Sequence, residues 1–134
     1  MVCDLEGQTP TGAMPKPEPH DGIVLADTAT KLGPHAAGAV IVTGSHGGRY
    51  AAYLTLKAHP RALIHNDAGI GRHSAGTAGV AWLAGLGIAA CAVDYRSARI
   101  GDGADTLESG VVTTVNDAAA AAGCRPGQPC RQVI

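Results

Sequence analysis

Three short stretches of the chain gather side chains that could do chemistry: residues 44–48 (GSHGG), 66–72 (NDAGIGR) and 94–102 (DYRSARIGD). In the first, glycines permit a sharp turn and could leave the amides of Gly47 and Gly48 free to hold an anion or a developing oxyanion. Ser45 could act there as a nucleophile or donor, and His46 as a base or electrophile. The plain alternative is a tight turn capped by Ser45, but a cap requires neither the histidine nor so many glycines. Consecutive side chains point apart, so His46 is expected to serve a substrate proton rather than Ser45.

In the second stretch, Asp67 could be a general base or could fix a histidine tautomer, with Asn66 and Arg72 beside the substrate. An Asx turn built by Asn66 and Asp67 is the competing explanation. In the third, Arg96 and Arg99 suit a carboxylate or phosphate, because guanidinium binds such groups through two parallel bonds. Ser97 and Asp102 are expected to line the same site. A salt-bridged surface loop would account for these residues without any ligand. The candidates are therefore Ser45, His46 and Asp67 for catalysis, and Gly47, Gly48, Asn66, Arg72, Arg96, Ser97, Arg99 and Asp102 for substrate binding.

No cofactor signature accompanies them. The glycine turn is neither GxxxxGK[ST] nor GxGxxG. The six histidines show no HxxxH spacing and the four cysteines no CxxC pair, so neither a metal nor an organic cofactor is expected. Cys91 reads as a small core residue; Cys124 and Cys130 could bridge, but free thiols are expected in a reducing compartment.

The elements that must position these residues follow from periodicity. Residues 39–43 (AVIVT), 61–65 (RALIH) and 88–94 (IAACAVD) read as strands. Tyr50, Leu54 and Ala58 recur at helical spacing over 49–58, and His59-Pro60 stops that helix. A second helix is expected to start at a Ser74 cap and end at Gly85 and Gly87. A third opens with capping-box spacing at Asp105 and Glu108, and Val111, Val112, Val115, Ala118, Ala119 and Ala122 continue one helical face to Gly123. Residues 23–33 read as an apolar run and a helical turn, and the tail 124–134 as a terminal edge strand.

Strands alternating with helices predict an α/β fold with three layers and a mostly parallel sheet, flavodoxin-like or Rossmann-like, over residues 23–134. Residues 1–22, with four prolines and no apolar period, read as an extended or disordered arm. All three polar loops then open at the carboxyl edge of the sheet, where ligands of such folds collect, most often at a reversal of strand order.

Composition narrows the classes of function. The chain has 134 residues, 46% hydrophobic and 16% charged, with no phenylalanine, so one core of Ala, Val, Ile and Leu is expected. Small side chains bury little area each, and residues 74–87 carry no charge, so self-association into a homo-oligomer is expected. A net charge of −1 without a basic run argues against a nucleic-acid partner. Apolar stretches too short for a membrane span, and no signal pattern, indicate no membrane partner and a cytoplasmic location. The expected function is that of a small cofactor-independent enzyme, a hydrolase or lyase acting on a small anionic metabolite. The alternatives are a non-catalytic nucleotide- or anion-binding regulatory domain and a structural subunit of an oligomer.

Overall fold

The chain from Gly22 onward runs as β1 (Ile23–Ala26), β2 (Val40–His46), α1 (Arg49–Leu56), β3 (Ala62–Asn66), α2 (Ala78–Ala84), β4 (Ala89–Val93), α3 (Gly103–Ser109), β5 (Val112–Val115) and α4 (Asp117–Ala121). Short 3-10 turns lie at Ala29–Lys31, Pro34–Ala36, Arg72–Ser74 and Cys130–Gln132. This computed structural model describes residues 22–134, so the arm expected over 1–22 lies, except for Gly22, outside the described residues.

The five strands form one sheet in the order β1-β2-β3-β4-β5; the first four are parallel and β5 is antiparallel to β4. The fold is the expected three-layer α/β sheet. Strand order follows chain order, so the crevice that a reversal of order creates does not arise among the described strands.

Both faces of the central strands are covered, which is why β2 to β4 read as nearly continuous apolar runs. On one face, Ile41, Leu63, Ala90 and Ala92 pack against Ala52 of α1 and Val80 and Leu83 of α2. On the other, Val42, Ile64, Cys91 and Val93 pack with Ala98, Leu107 of α3, Val112 and Cys130. Cys91, Cys124 and Cys130 are free thiols.

Four local expectations are corrected. Residues 111–122 do not form one helix: β-branched Val112–Val115 pair with β4 as a strand, and Asn116 then starts α4 by accepting from Ala119 N at 2.9 Å. Five β-branched residues in a row favour the pleated state, and only the alanines beyond them favour helix. The same Asn116 donates to Val80 O at 3.0 Å and Ile88 O at 2.8 Å, tying the start of α4 to α2 and to the connection that follows it.

Ser74 is not the cap of α2, which begins four residues later; Thr77 occupies the N-cap position without a side-chain bond. Ser74 instead sits in left-handed backbone at φ 58°. For α3 the cap is Asp102, whose Oδ1 accepts from Asp105 N at 2.9 Å, in place of an Asp105–Glu108 box. The tail contributes a single antiparallel bridge, Val111 with Pro129, rather than a strand.

Candidate functional site

All three polar loops do lie at the carboxyl ends of the strands. The third has a structural reason for its length. From β4 it passes over β3, where Asn66 Nδ2 donates to Ala98 O at 3.0 Å, and over β2, where Gly101 N donates to Gly44 O at 2.8 Å. It reaches β1 where Gly103 N donates to Asp27 Oδ1 at 3.1 Å. Spanning three strand spacings of about 4.8 Å takes this many residues, and it delivers α3 to the far face of the sheet. Gly44 makes the crossing possible: a methyl group there would run into the backbone of Asp102.

Within the first loop most polar groups are already occupied. Ser45 Oγ accepts from Ala29 N at 2.8 Å, which pins the 3-10 turn after β1. Gly47 N donates to Asn66 O at 2.9 Å, and Gly47 O accepts from Gly79 N at 2.8 Å. Gly48 N donates to His46 Nδ1 at 3.0 Å, and its carbonyl receives Ala52 N in the first turn of α1. The expectation that Gly47 and Gly48 offer free amides to an anion is therefore corrected: both amides are bonded inside the protein. Glycine at 79 serves close approach, since a side chain there would meet Gly48 O.

His46 emerges differently. Its ring is exposed at the end of β2. Because Nδ1 accepts the Gly48 amide, the hydrogen of the neutral ring lies on Nε2, directed away from that bond. A ring held in this tautomer donates at Nε2 and does not accept a proton there. It suits an oxygen of an anion better than the role of general base.

In the second loop Asn66 and Asp67 are buried and fully engaged. Asn66 Oδ1 accepts from Ala68 N at 2.8 Å, closing the Asx turn. Asp67 Oδ1 accepts from Gly69 N at 2.8 Å and Tyr95 N at 3.0 Å, and Oδ2 from Thr113 Oγ1 at 2.7 Å. This carboxylate ties the β3, β4 and β5 ends together, so its placement corrects the assignment as a base beside Ser45 and His46. Ser45 turns toward the 3-10 segment and Asp67 toward β5, and no hydrogen bond joins any two of the three residues among the described contacts.

Beyond Asp67 the backbone is unusual. Ala68, Ile70, His73 and Ser74 have φ of 51°, 68°, 55° and 58°, interleaved with Gly69 and Gly71 at 74° and 76°. For a β-branched residue such as Ile70 this conformation is a marked outlier, and each such residue stores on the order of 1–3 kcal/mol. The run holds Arg72 and His73 out in solvent.

The strap residues divide. Ser97 Oγ donates to Asp94 O at 2.6 Å and accepts from Val111 N at 2.9 Å; Asp102 caps α3; both are structural. Arg96 pairs with Asp94 at 3.1 Å and lies 5.8 Å over the Tyr95 ring. That pair holds the Asp94 carboxyl below its ordinary range and raises the guanidinium of Arg96. The Arg99 backbone amide donates to Asp105 Oδ2 at 2.8 Å, and the guanidinium acts on that carboxylate through its charge alone. That amide bond lowers the Asp105 carboxyl. The guanidiniums of Arg72 and Arg99 make no salt bridge with a described residue.

One buried histidine was not among the candidates for the site. His65, in β3, is completely buried under the first loop, where a methyl group added at Gly47 would come into contact with its Cβ, and neither ring nitrogen makes a hydrogen bond of ordinary geometry with a described residue. Burial pushes its pKa down to about 4; the backbone of Ser45 and His46 offsets part of that shift and the charge of His46 adds to it. A histidine closing an apolar run just before Asn-Asp was the only available signal.

Near Asp67 a shallow pocket of about 170 Å³ is lined by Gly69, Ile70, Tyr95, Arg96 and Thr113. Among the described residues no three metal-ligating side chains converge, and no helix is long and apolar enough to cross a membrane. No known family, curated protein or solved structure matches this chain.

Proposed function

We propose that the protein binds a small anionic metabolite at the carboxyl edge of its sheet, with His46 as the central donor and Arg99 and Arg72 as the charged anchors. The observation that carries this reading is the bond from Gly48 N to His46 Nδ1, which turns an exposed Nε2–H outward at the strand end. Arg99, an exposed residue, stands on the strap between Ala98, bonded over β3, and Gly101, bonded over β2, which puts it at the same edge. Of the strap arginines, Arg96 is already paired with Asp94, whereas the Arg99 guanidinium forms no salt bridge with a described residue and acts on Asp105 through charge alone, which favours it as the anchor. Ser97, Asp102, Asn66 and Asp67 support this edge as scaffold.

A catalytic reading, as a hydrolase or lyase working without an organic cofactor, is favoured by the left-handed run over residues 68–74. Strain of that kind collects where a backbone is held for a purpose. In that reading His46 is the group next to the reacting oxygen, and Ser45 takes no part. A homo-oligomer remains part of the proposal, since Tyr50, Tyr53 and Leu86 are exposed on the α1 and α2 layer.

Calorimetric titration with inorganic phosphate and with a small dicarboxylate tests the binding. The wild type is expected to bind at least one of them, His46→Ala and Arg99→Ala to weaken it about tenfold, and Arg96→Ala to leave it unchanged. Binding that is indifferent to His46→Ala overturns the reading. Turnover of a panel of small esters and hydroxy acids that survives Ser45→Ala but not His46→Ala would select the catalytic version.

A further inference from the structure

The open edge of β1 has a pattern that the chain just before it matches. Val40 N donates to Gly22 O at 3.0 Å, and the register sets Ile23 opposite Val40 and Leu25 opposite Val42. In a parallel ladder a residue bonds to the two that flank its partner, so Gly22, Val24 and Ala26 turn their backbone groups toward β2. Ile23 and Leu25 turn theirs to the other side, where no described strand pairs with them. Their side chains are 42% and 45% exposed, and the strand has no charge or proline of its own to discourage pairing. Such an edge is a template for another strand.

Residues 15–22 read Pro-Lys-Pro-Glu-Pro-His-Asp-Gly, with proline at every odd position from 15 to 19. Backbone N–H groups alternate in direction along an extended strand. In that conformation the three prolines share one edge, while the N–H groups of Lys16, Glu18 and His20 share the other. Antiparallel pairing with Ile23 and Leu25 requires partners that own an N–H, hence even-numbered ones. Two registers meet the requirement. His20 and Glu18 can face Ile23 and Leu25 across a two-residue loop, or Glu18 and Lys16 can face them across a four-residue loop; both are common hairpin lengths. A shift by one residue would set prolines against both positions and lose every donor.

We propose that the β1 edge receives residues 15–20 of the same chain as an antiparallel strand. The edge left outside then carries only proline nitrogens, which cannot donate, so the sheet ends there instead of recruiting another molecule. The competing occupant is the β1 of a second copy, which would pair edge to edge in a concentration-dependent way.

Amide hydrogen exchange on the full chain tests this. The amides of Ile23, Leu25 and Glu18 are expected to be protected to the same degree at low and high protein concentration. Glu18 is bonded in both registers, so Glu18→Pro is expected to speed exchange at Ile23 or Leu25 by roughly fivefold or more, the equivalent of one lost hydrogen bond. The double variant Pro17→Ala, Pro19→Ala is expected to keep that protection while gaining self-association in light scattering. Exchange of Glu18 at the rate of an unstructured peptide overturns the proposal. So does protection of Ile23 and Leu25 that grows with concentration, which would assign the edge to a second copy, or protection unchanged by Glu18→Pro.

Discussion

Two polar side chains stand two residues apart at the end of β3, both buried, and the protein provides for them in opposite ways. Asp67 lies just beyond the last paired residue, where the chain turns, and donors reach it from the turn (Gly69), the start of the strap (Tyr95) and β5 (Thr113). His65 lies inside the strand, beneath the point where Gly47 contacts α2, and its ring nitrogens make no hydrogen bond of ordinary geometry with a described residue; the nearby backbone of Ser45 and His46 offsets only part of the cost of burial. A strand interior spends its backbone on the ladder and faces its side chains into apolar layers. The strand end is where three loops meet with spare amides. Polarity is cheap in one place and costly two residues earlier.

The largest expected effect on this contrast comes from Asp67→Ala, which strands two amides and a hydroxyl at the part-buried strand end. It should lower stability by about 3 kcal/mol or more in urea denaturation, with Asp67→Asn losing less because the amide oxygen still accepts. An unchanged midpoint for Asp67→Ala would show that the carboxylate does not hold the three strand ends.

Next comes the pH dependence of His65. Its folded pKa of about 4 is depressed below the ordinary 6.5, so the unfolded chain binds a proton that the folded one refuses. The stability associated with a neutral His65 is complete above about pH 6.5 and is lost as pH falls toward 4, by on the order of 3 kcal/mol in total. Asp94 and Asp105, whose carboxyls are lowered, add their own loss only at more acidic pH, as they protonate. Comparing denaturation of the wild type and His65→Leu between pH 7 and pH 4 isolates the contribution; parallel curves would remove His65 from the account.

At neutral pH, His65→Leu is expected to raise stability by about 1 kcal/mol, because it deletes two unsatisfied nitrogens from an apolar layer. A lower Tm for this variant would mean that the ring has a partner in solution. Asp102→Ala should cost about 1 kcal/mol through the lost cap of α3. At the small end, Arg96→Ala breaks only an exposed pair, and thermal denaturation should not register it.

Much of the scaffold was legible in the residues. The apolar runs at 39–43, 61–65 and 88–94 became the strands they suggested, because burial on both faces leaves an unambiguous pattern. The helix over 49–58 formed as well, but Tyr50 of its expected stripe is 71% exposed and the buried face is made by Ala51, Ala52 and Thr55. Residues 111–122 were ambiguous for a physical reason: Val-Val-Thr-Thr-Val satisfies a helical stripe and a strand equally, and only the pairing of β5 with β4 decides between them. The candidate site was legible as a place and not as a mechanism. Ser45, His46, Asn66, Asp67 and Arg99 do share the carboxyl edge, yet which groups are already bonded depends on contacts far apart in sequence, such as Ala29 with Ser45 and Thr113 with Asp67.

By itself the sequence determined the alternation of strands and helices, the edge at which polar loops gather, and the parity of the prolines before β1, all of which follow from local periodicity. Only the tertiary structure decided that the long third loop is a strap from β4 to β1, that the glycine amides are bonded internally, that Asp67 gathers three donors while His65 has no hydrogen bond of ordinary geometry with a described residue, and that the exposed His46 ring accepts the Gly48 amide. Those outcomes depend on which hydrogen-bonding groups meet once the strands are side by side, and no spacing along the chain records that.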